Sequence, residues 1–293
     1  MVKESLKYRK YYCYSQSLAS EDKIRQRVTL KYFIVSIIIA VIIANTIVIL
    51  SEAHSKHSIS LWILNITAGT ASILGIISIC RYGISGLHGK SYLFLTLGLI
   101  SWFSADFTLL YNYYGLGIEE QRFVTTTDAL WFAGYGFLAL HLLIIIRSLD
   151  VKIKSIVFVV ISIITVFFVS YNLLNLLSYD FHTADDFIVI IVTILYPILD
   201  FILIIPSAII LVTLRKDYAQ NIPWFLSSLS LLVNAIADDG YVNDFVTGNK
   251  ESLWFWELFY ITDFIIMSGA LFWYNKFHIS NAKRNVKLSN HHR

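Results

Sequence analysis

Eight separate stretches of this chain are long and apolar enough to cross a bilayer, and no other feature restricts its fold as much. A hydrocarbon core about 30 Å thick needs about 20 mostly apolar residues in a helix that rises about 1.5 Å per residue. The first stretch, Tyr32 to Ser51, carries no formal charge, and neither does the second, Ser58 to Cys80. The third, Ser91 to Tyr114, holds a single acid, Asp106; the fourth opens at Asp128 and is then uncharged until Arg147. The fifth, Ser155 to Tyr179, is uncharged, and the sixth, Asp186 to Leu214, holds Asp200 near its middle. Pro223 to Val246 and Glu251 to Tyr274 complete the set and are its most polar members. Composition agrees, because 57% hydrophobic and 15% charged residues, against about 25% charged in soluble domains, exclude an ordinary soluble protein. With 3 prolines, 13 glycines and 2 cysteines, collagen-like, low-complexity, disulfide-stapled and Cys-rich metal-binding classes are excluded too. The expected fold is an all-α integral membrane bundle of eight transmembrane helices.

The basic residues orient that bundle. All but three of the 23 Lys and Arg fall on one side, the exceptions being Lys56, Arg122 and Lys250. The positive-inside rule makes the crowded side cytoplasmic. An even number of spans then places both termini in the cytoplasm of a cell-membrane protein. Residues 1–31 read as a basic amphipathic arm near anionic headgroups, with Tyr8, Tyr11, Tyr12 and Tyr14 at the interface. About 30 polar and basic residues precede the first apolar run, so no cleavable signal peptide is expected. Residues 32–275 form the membrane domain and 276–293 a basic cytoplasmic tail. Cys13 reads as a reduced thiol or a palmitoylation site, and Cys80 as packing.

An internal similarity divides the membrane domain. Ala105-Asp106 leads through Tyr111, Tyr113 and Tyr114 to Gly115, then a polar loop, then Trp131 and Tyr135. Ala237-Asp238 leads through Tyr241 and Phe245 to Gly248, then a polar loop, then Trp256 and Tyr260. Residues 32–148 and 155–275 therefore read as two parallel four-helix repeats about an axis along the membrane normal.

Acids inside a bilayer are costly and mark a function, a helix contact or a water-filled cavity. Helical spacing collects them on single faces. The seventh span aligns Ser227, Ser230, Asn234, Asp238 and Tyr241; the sixth aligns Thr193, Tyr196, Asp200 and Ser207, with Pro197 and Pro206 placed to kink it. The eighth aligns Trp256, Tyr260 and Asp263, and the third aligns Trp102, Asp106 and Tyr113. Such faces must turn inward, which predicts an acidic and aromatic cavity open toward the outside. No Lys or Arg lies deep in any span. The acids are then protonated, or they share a cation, proton or amine ligand; the competing reading is plain interhelical hydrogen bonding. The candidate ligand-binding residues are Trp102, Asp106, Tyr113, Asp128, Trp131, Tyr135, Tyr196, Asp200, Asn234, Asp238, Tyr241, Trp256, Tyr260 and Asp263. Asp128 also reads as a first-turn acid behind the N-cap threonines Thr125, Thr126 and Thr127.

No catalytic group, metal or cofactor is assigned. His141, the one histidine inside a span, reads as an interhelical hydrogen-bonding group. His54, His57 and His182 with Asp180, Asp185 and Asp186 match no zinc spacing. Phosphate-binding loops, nucleophile elbows, HExxH helices and voltage-sensor arginines are missing from the sequence. No lysine sits midway in the last helix for a retinal Schiff base, and nucleic acid has no platform.

The strings SWFSADFTLLYNYYG, TTTDALWFAGY, LYPILD and IADDGYVNDFVTG, followed by a Trp-x-x-x-Tyr helix, are similar to the multi-span N-terminal sensory regions of bacterial signalling proteins. Those regions precede GGDEF, EAL or histidine kinase domains. The resemblance covers about Ser91 to Tyr274. It implies a membrane-embedded sensory module, with Asp106, Asp128, Tyr196, Pro197, Asp200 and Asp238 at matching motif positions. The chain departs from the pattern in two ways: only a short basic tail follows Tyr274, and Leu253 stands where the first copy has Asp128. Output would then pass through a cytoplasmic partner, within a possible homo-oligomer. The expected function is a sensor binding a small ligand or cation. The alternatives are a proton- or cation-coupled transporter or channel, and an intramembrane lipid hydrolase using Asp and His141.

Overall fold

The computed structural model describes residues 28–117, 125–148, 155–177, 184–215, 221–246, 249 and 252–278. The basic arm up to residue 27, His182 and Asp180 of the histidine-acid group, and the tail from 279 onward lie outside them, and so does Thr183 before the sixth helix. Among the described residues the structure is helical, with no strand. Its long helices are α1 (Val28–Leu50), α2 (Lys56–Tyr82), α3 (Gly86–Gly115), α4 (Thr126–Ser148), α5 (Ser155–Leu177), α6 (Ala184–Leu214), α7 (Ile222–Val246) and α8 (Leu253–Trp273). A π-helical turn, Tyr274–His278, extends α8.

Six of these are long and apolar enough to cross a membrane, in α1, α2, α3, α4, α6 and α8. The helix α7 is not among them, because Ser227, Ser228, Ser230, Asn234, Asp238 and Asp239 dilute its hydropathy. Most of those side chains are buried against neighbouring helices, so the dilution comes from the inward face. In α5 the described apolar stretch is Phe158–Phe167.

Packing closes α2, α3, α4, α6, α7 and α8, in that order, into a ring in which α8 returns to α2. Outside it, α5 lies on α6 and α7. Along α8, α1 places Phe33 and Ile37 at Gly269, and the side-chain amide of Asn45 donates to Thr262 at 3.0 Å. The outward surface is apolar: Ile38, Ile39, Ile42, Ile43 and Ile47 of α1 and Ile163, Ile164 and Phe167 of α5 are exposed. An apolar exterior of that extent requires lipid around it. The interior combines an apolar core that includes Leu95, Leu99, Leu138 and Ile261 with buried polar groups: Ser60, Asn65, Ser72, Ser91, Asp106, Asp200, Ser230 and Asp263. Thr67, Thr96 and Thr108 return their hydroxyl protons to carbonyls four residues back, which satisfies them within their own helix.

Two local features position the site. Between α2 and α3 the chain reverses at Gly83 and Gly86, with φ of 87° and 70°, a region that side-chain-bearing residues rarely adopt. Further along, α3 and α4 cross at Gly98 and Gly134. A Cβ on Gly98 would lie 2.7 Å from Leu138, and one on Gly134 would strike the Trp102 indole. Close crossing of this kind is what small residues permit between membrane helices.

Candidate functional site

Several residues of the expected polar stripes are buried, while the side chain of Thr193 lies outside the described ones. On α7 Ser227, Ser230 and Asn234 are buried and Asp238 is partly buried; on α6 Tyr196, Asp200 and Ser207 are buried. Their meeting point is Tyr135 of α4, held edge-on at 5.3 Å by Trp102 of α3. The Trp102 indole in turn donates to the Trp131 carbonyl at 3.1 Å. The Tyr135 hydroxyl reaches Asp200 Oδ1 at 2.7 Å and also touches Asp238 Oδ2. The Tyr135 hydroxyl thus brings the two carboxyl groups to one point. Tyr260 of α8 donates to the other oxygen of Asp238. One centre thus joins α4, α6, α7 and α8.

Hydrogen-bond bookkeeping gives this centre a chemical property. A tyrosine hydroxyl carries one proton, and an ionised carboxylate only accepts. Tyr135 can donate to one of its two partners. Its contact with the other is satisfied by sharing that O–H between the two acceptors or by a proton on one carboxyl group.

Other acids flank it. Asp106 accepts from the Trp131 indole at 3.3 Å, and its backbone carbonyl accepts from Asn65 at 3.3 Å. Asp128 serves two purposes: its Oδ2 accepts from the Thr125 backbone N–H at 2.8 Å, a capping contact, while its Oδ1 accepts from Tyr196 of α6 at 2.8 Å. Asp263 accepts from Ser230. Neither carboxyl oxygen of Asp239, which is buried, has a hydrogen-bond partner among the described residues. No described Lys or Arg forms an ion pair with any of these acids; the described ion pairs are His54 with Glu52 and His57 with Glu257.

Three of the residues expected at the site stand apart from the Tyr135 centre. Tyr113 sits edge-on to the His57 ring at 5.7 Å. Trp256 donates to Asp244 at 2.7 Å, and Asp263 lies two helical turns away at Ser230. Tyr241 stacks at a tilt on Tyr260, 6.2 Å between ring centres.

The sequence reading missed Glu257. This acid is buried, accepts from Ser60 of α2 and pairs with His57 Nδ1 at 2.9 Å. The signal was available, since Glu257 shares a helical face with Ile261 and Phe264, both core residues. His141 is buried with Nδ1 2.8 Å from the Ser91 hydroxyl and 2.9 Å from the Ser91 carbonyl. Its ring sits beside Tyr92, which stacks on Tyr274 at 3.8 Å. Among the described residues, no three His, Cys, Asp or Glu side chains converge as a metal site. Compared with known proteins, the chain matches no family model, no curated protein and no solved structure.

Proposed function

We propose that the chain is a multi-pass membrane sensor whose buried acid–tyrosine centre binds a small cationic ligand, the proton being the smallest. The observation that carries the reading is Tyr135 shared by Asp200 and Asp238, in an interior with several acids and, among the described residues, no Lys or Arg paired with them. A cation arriving there gains the Coulomb attraction of desolvated carboxylates and faces of Tyr and Trp that favour positive charge. Occupancy is then felt by α4, α6, α7 and α8 together, because each supplies a group to the centre. Movement of those helices is what a cytoplasmic partner would read.

The wider architecture follows the same reading. All eight helices span, with the basic connections and both termini in the cytoplasm. Residues 32–148 and 155–275 are parallel repeats, so α2, α3 and α4 correspond to α6, α7 and α8. The ring order supports this, since the contacts of α2 with α3, α3 with α4 and α4 with α6 recur as α6 with α7, α7 with α8 and α8 with α2. Trp131 to Asp106 in one half and Tyr260 to Asp238 in the other are each a bond from the fourth helix to the third. Tyr196 to Asp128 and Tyr135 to Asp200 join the halves.

The test is thermal unfolding of the full chain in nanodiscs, titrated with acid and with sodium, potassium and tetramethylammonium chlorides. Stabilisation of the wild type by one of these, absent from Asp106→Asn with Asp238→Asn, supports the reading. Equal responses overturn it. A transporter reading is favoured by the position of Asp200 at the seam between the halves; acid uptake into proteoliposomes that Asp200→Asn abolishes would favour it over a sensor.

A further inference from the structure

The buried acids need a route to the surface, and one of them already touches an exposed titratable group. His57 has 43% of its side chain exposed, while the Glu257 side chain it pairs with is 4% exposed. Asp106, Asp238 and Asp263 bond instead to Trp131, to Tyr135 and Tyr260, and to Ser230. We propose that His57 and Glu257 are the surface port through which a proton enters the acid–tyrosine centre, an inference that rests on the cation-binding reading above.

The geometry suits proton transfer. His57 Nδ1 lies 2.9 Å from Glu257 Oε1, and Ser60 donates to Oε2 and holds the carboxylate in place. A hydronium at the surface protonates imidazole Nε2 and leaves as water. The Nδ1–H bond then breaks, the proton forms an O–H bond on Glu257, and the imidazole is left neutral in its other tautomer. Glu257 stands one helical turn before Tyr260 on α8. Tyr241 packs on Tyr260, whose hydroxyl is bonded to Asp238, and Asp238 shares Tyr135 with Asp200. The port therefore stands one turn of α8 from a residue that bonds the centre.

The titratable and charged groups around the pair come from every packed element. On α2, Lys56 lies over the Trp254 ring at 4.1 Å. Before it, His54 pairs with Glu52 at the exposed start of the hairpin. Tyr113 meets the His57 ring from α3, two helical turns along from Asp106. Tyr241, Asp238 and Asp244 stand on α7, and Asp263 on α8 itself. Lys56 is engaged by an aromatic face, which leaves His57 as the group hydrogen-bonded to the Glu257 carboxyl from the surface.

The experiment is time-resolved infrared spectroscopy of the full chain in nanodiscs after a rapid drop in pH, following the C=O band of protonated carboxyl groups. His57→Gln is the primary variant, because it is half-exposed and replaces no core side chain; Glu257→Gln is the second. Both are expected to slow proton uptake by at least about tenfold, less than the roughly 10²–10⁴-fold that a positioned acid–base group contributes. His57→Gln should keep the final band amplitude, and imidazole added to the buffer should restore part of its rate. Unchanged rates in a folded His57→Gln overturn the port. A wild type that shows no protonation band, or one that Asp200→Asn and Asp238→Asn leave intact, overturns the centre itself and is distinguishable from failure of the port.

Discussion

Tyr135 is the residue on which the centre depends, because its single hydroxyl serves two carboxyl groups on two helices. Tyr135→Phe removes that hydroxyl and leaves Asp200, which is fully buried, without its donor. The expected cost is about 1–3 kcal/mol of stability, read as a lowered thermal midpoint in nanodiscs. Asp239 predicts the opposite sign. Its buried carboxyl has no hydrogen-bond partner among the described residues and follows Asp238 directly, so Asp239→Asn relieves a desolvated like charge and should raise the midpoint. A lowered midpoint there would mean that Asp239 is held by a cation. The acids and aromatics of the site were legible in the sequence, because a charge in an apolar run is conspicuous. Their partners were not. Tyr135 to Asp200 and Tyr196 to Asp128 each join helices more than sixty residues apart, and spacing within one helix carries no information about the helix opposite. Glu257 escaped for a related reason, standing in the second turn of α8, near enough to the helix start for an acid to read as a solvated end.

At the level of helices, the crossing of α3 and α4 sets where Trp102 and Tyr135 can stand. A methyl group on Gly134 would meet the Trp102 indole, which is fixed by its bond to the Trp131 carbonyl. Gly134→Ala should therefore cost about 1–3 kcal/mol by overpacking and weaken the Tyr135 centre with it. Gly136, two residues on, faces open space, so Gly136→Ala should be neutral or stabilise by up to about 1 kcal/mol. Comparable destabilisation by both would remove the crossing as the cause. Helix positions followed closely from apolar run length, since a bilayer leaves helices or barrels as the spanning structures. The difficulty of α7 has the same physical root. A helix that turns Ser230 and Asn234 inward looks too polar when averaged round its circumference, though the side it exposes carries Ile236.

For the whole molecule, the charge distribution predicts one orientation. On a cysteine-free background, His54→Cys between α1 and α2 should react with an impermeant maleimide on intact cells, and Ser85→Cys between α2 and α3 only after permeabilisation. The reverse pattern would invert the bundle and place the His57 port on the cytoplasmic side. That the chain belongs in a membrane was legible from run length and composition alone. The ring order of its helices was not, because α4 against α6 and α8 against α2 are contacts between segments whose loops say nothing of their meeting. What the closed ring adds is a reason for an acidic interior: the acids bond across helix seams, chiefly to tyrosine, tryptophan and serine. The central claim is that Asp200 and Asp238 share a proton through Tyr135. Static infrared difference spectra of the full chain in nanodiscs test it directly. The account predicts a protonated-carboxyl band that shifts in Tyr135→Phe and disappears in both Asp200→Asn and Asp238→Asn; a band absent from the wild type, or unchanged in all three variants, would contradict it.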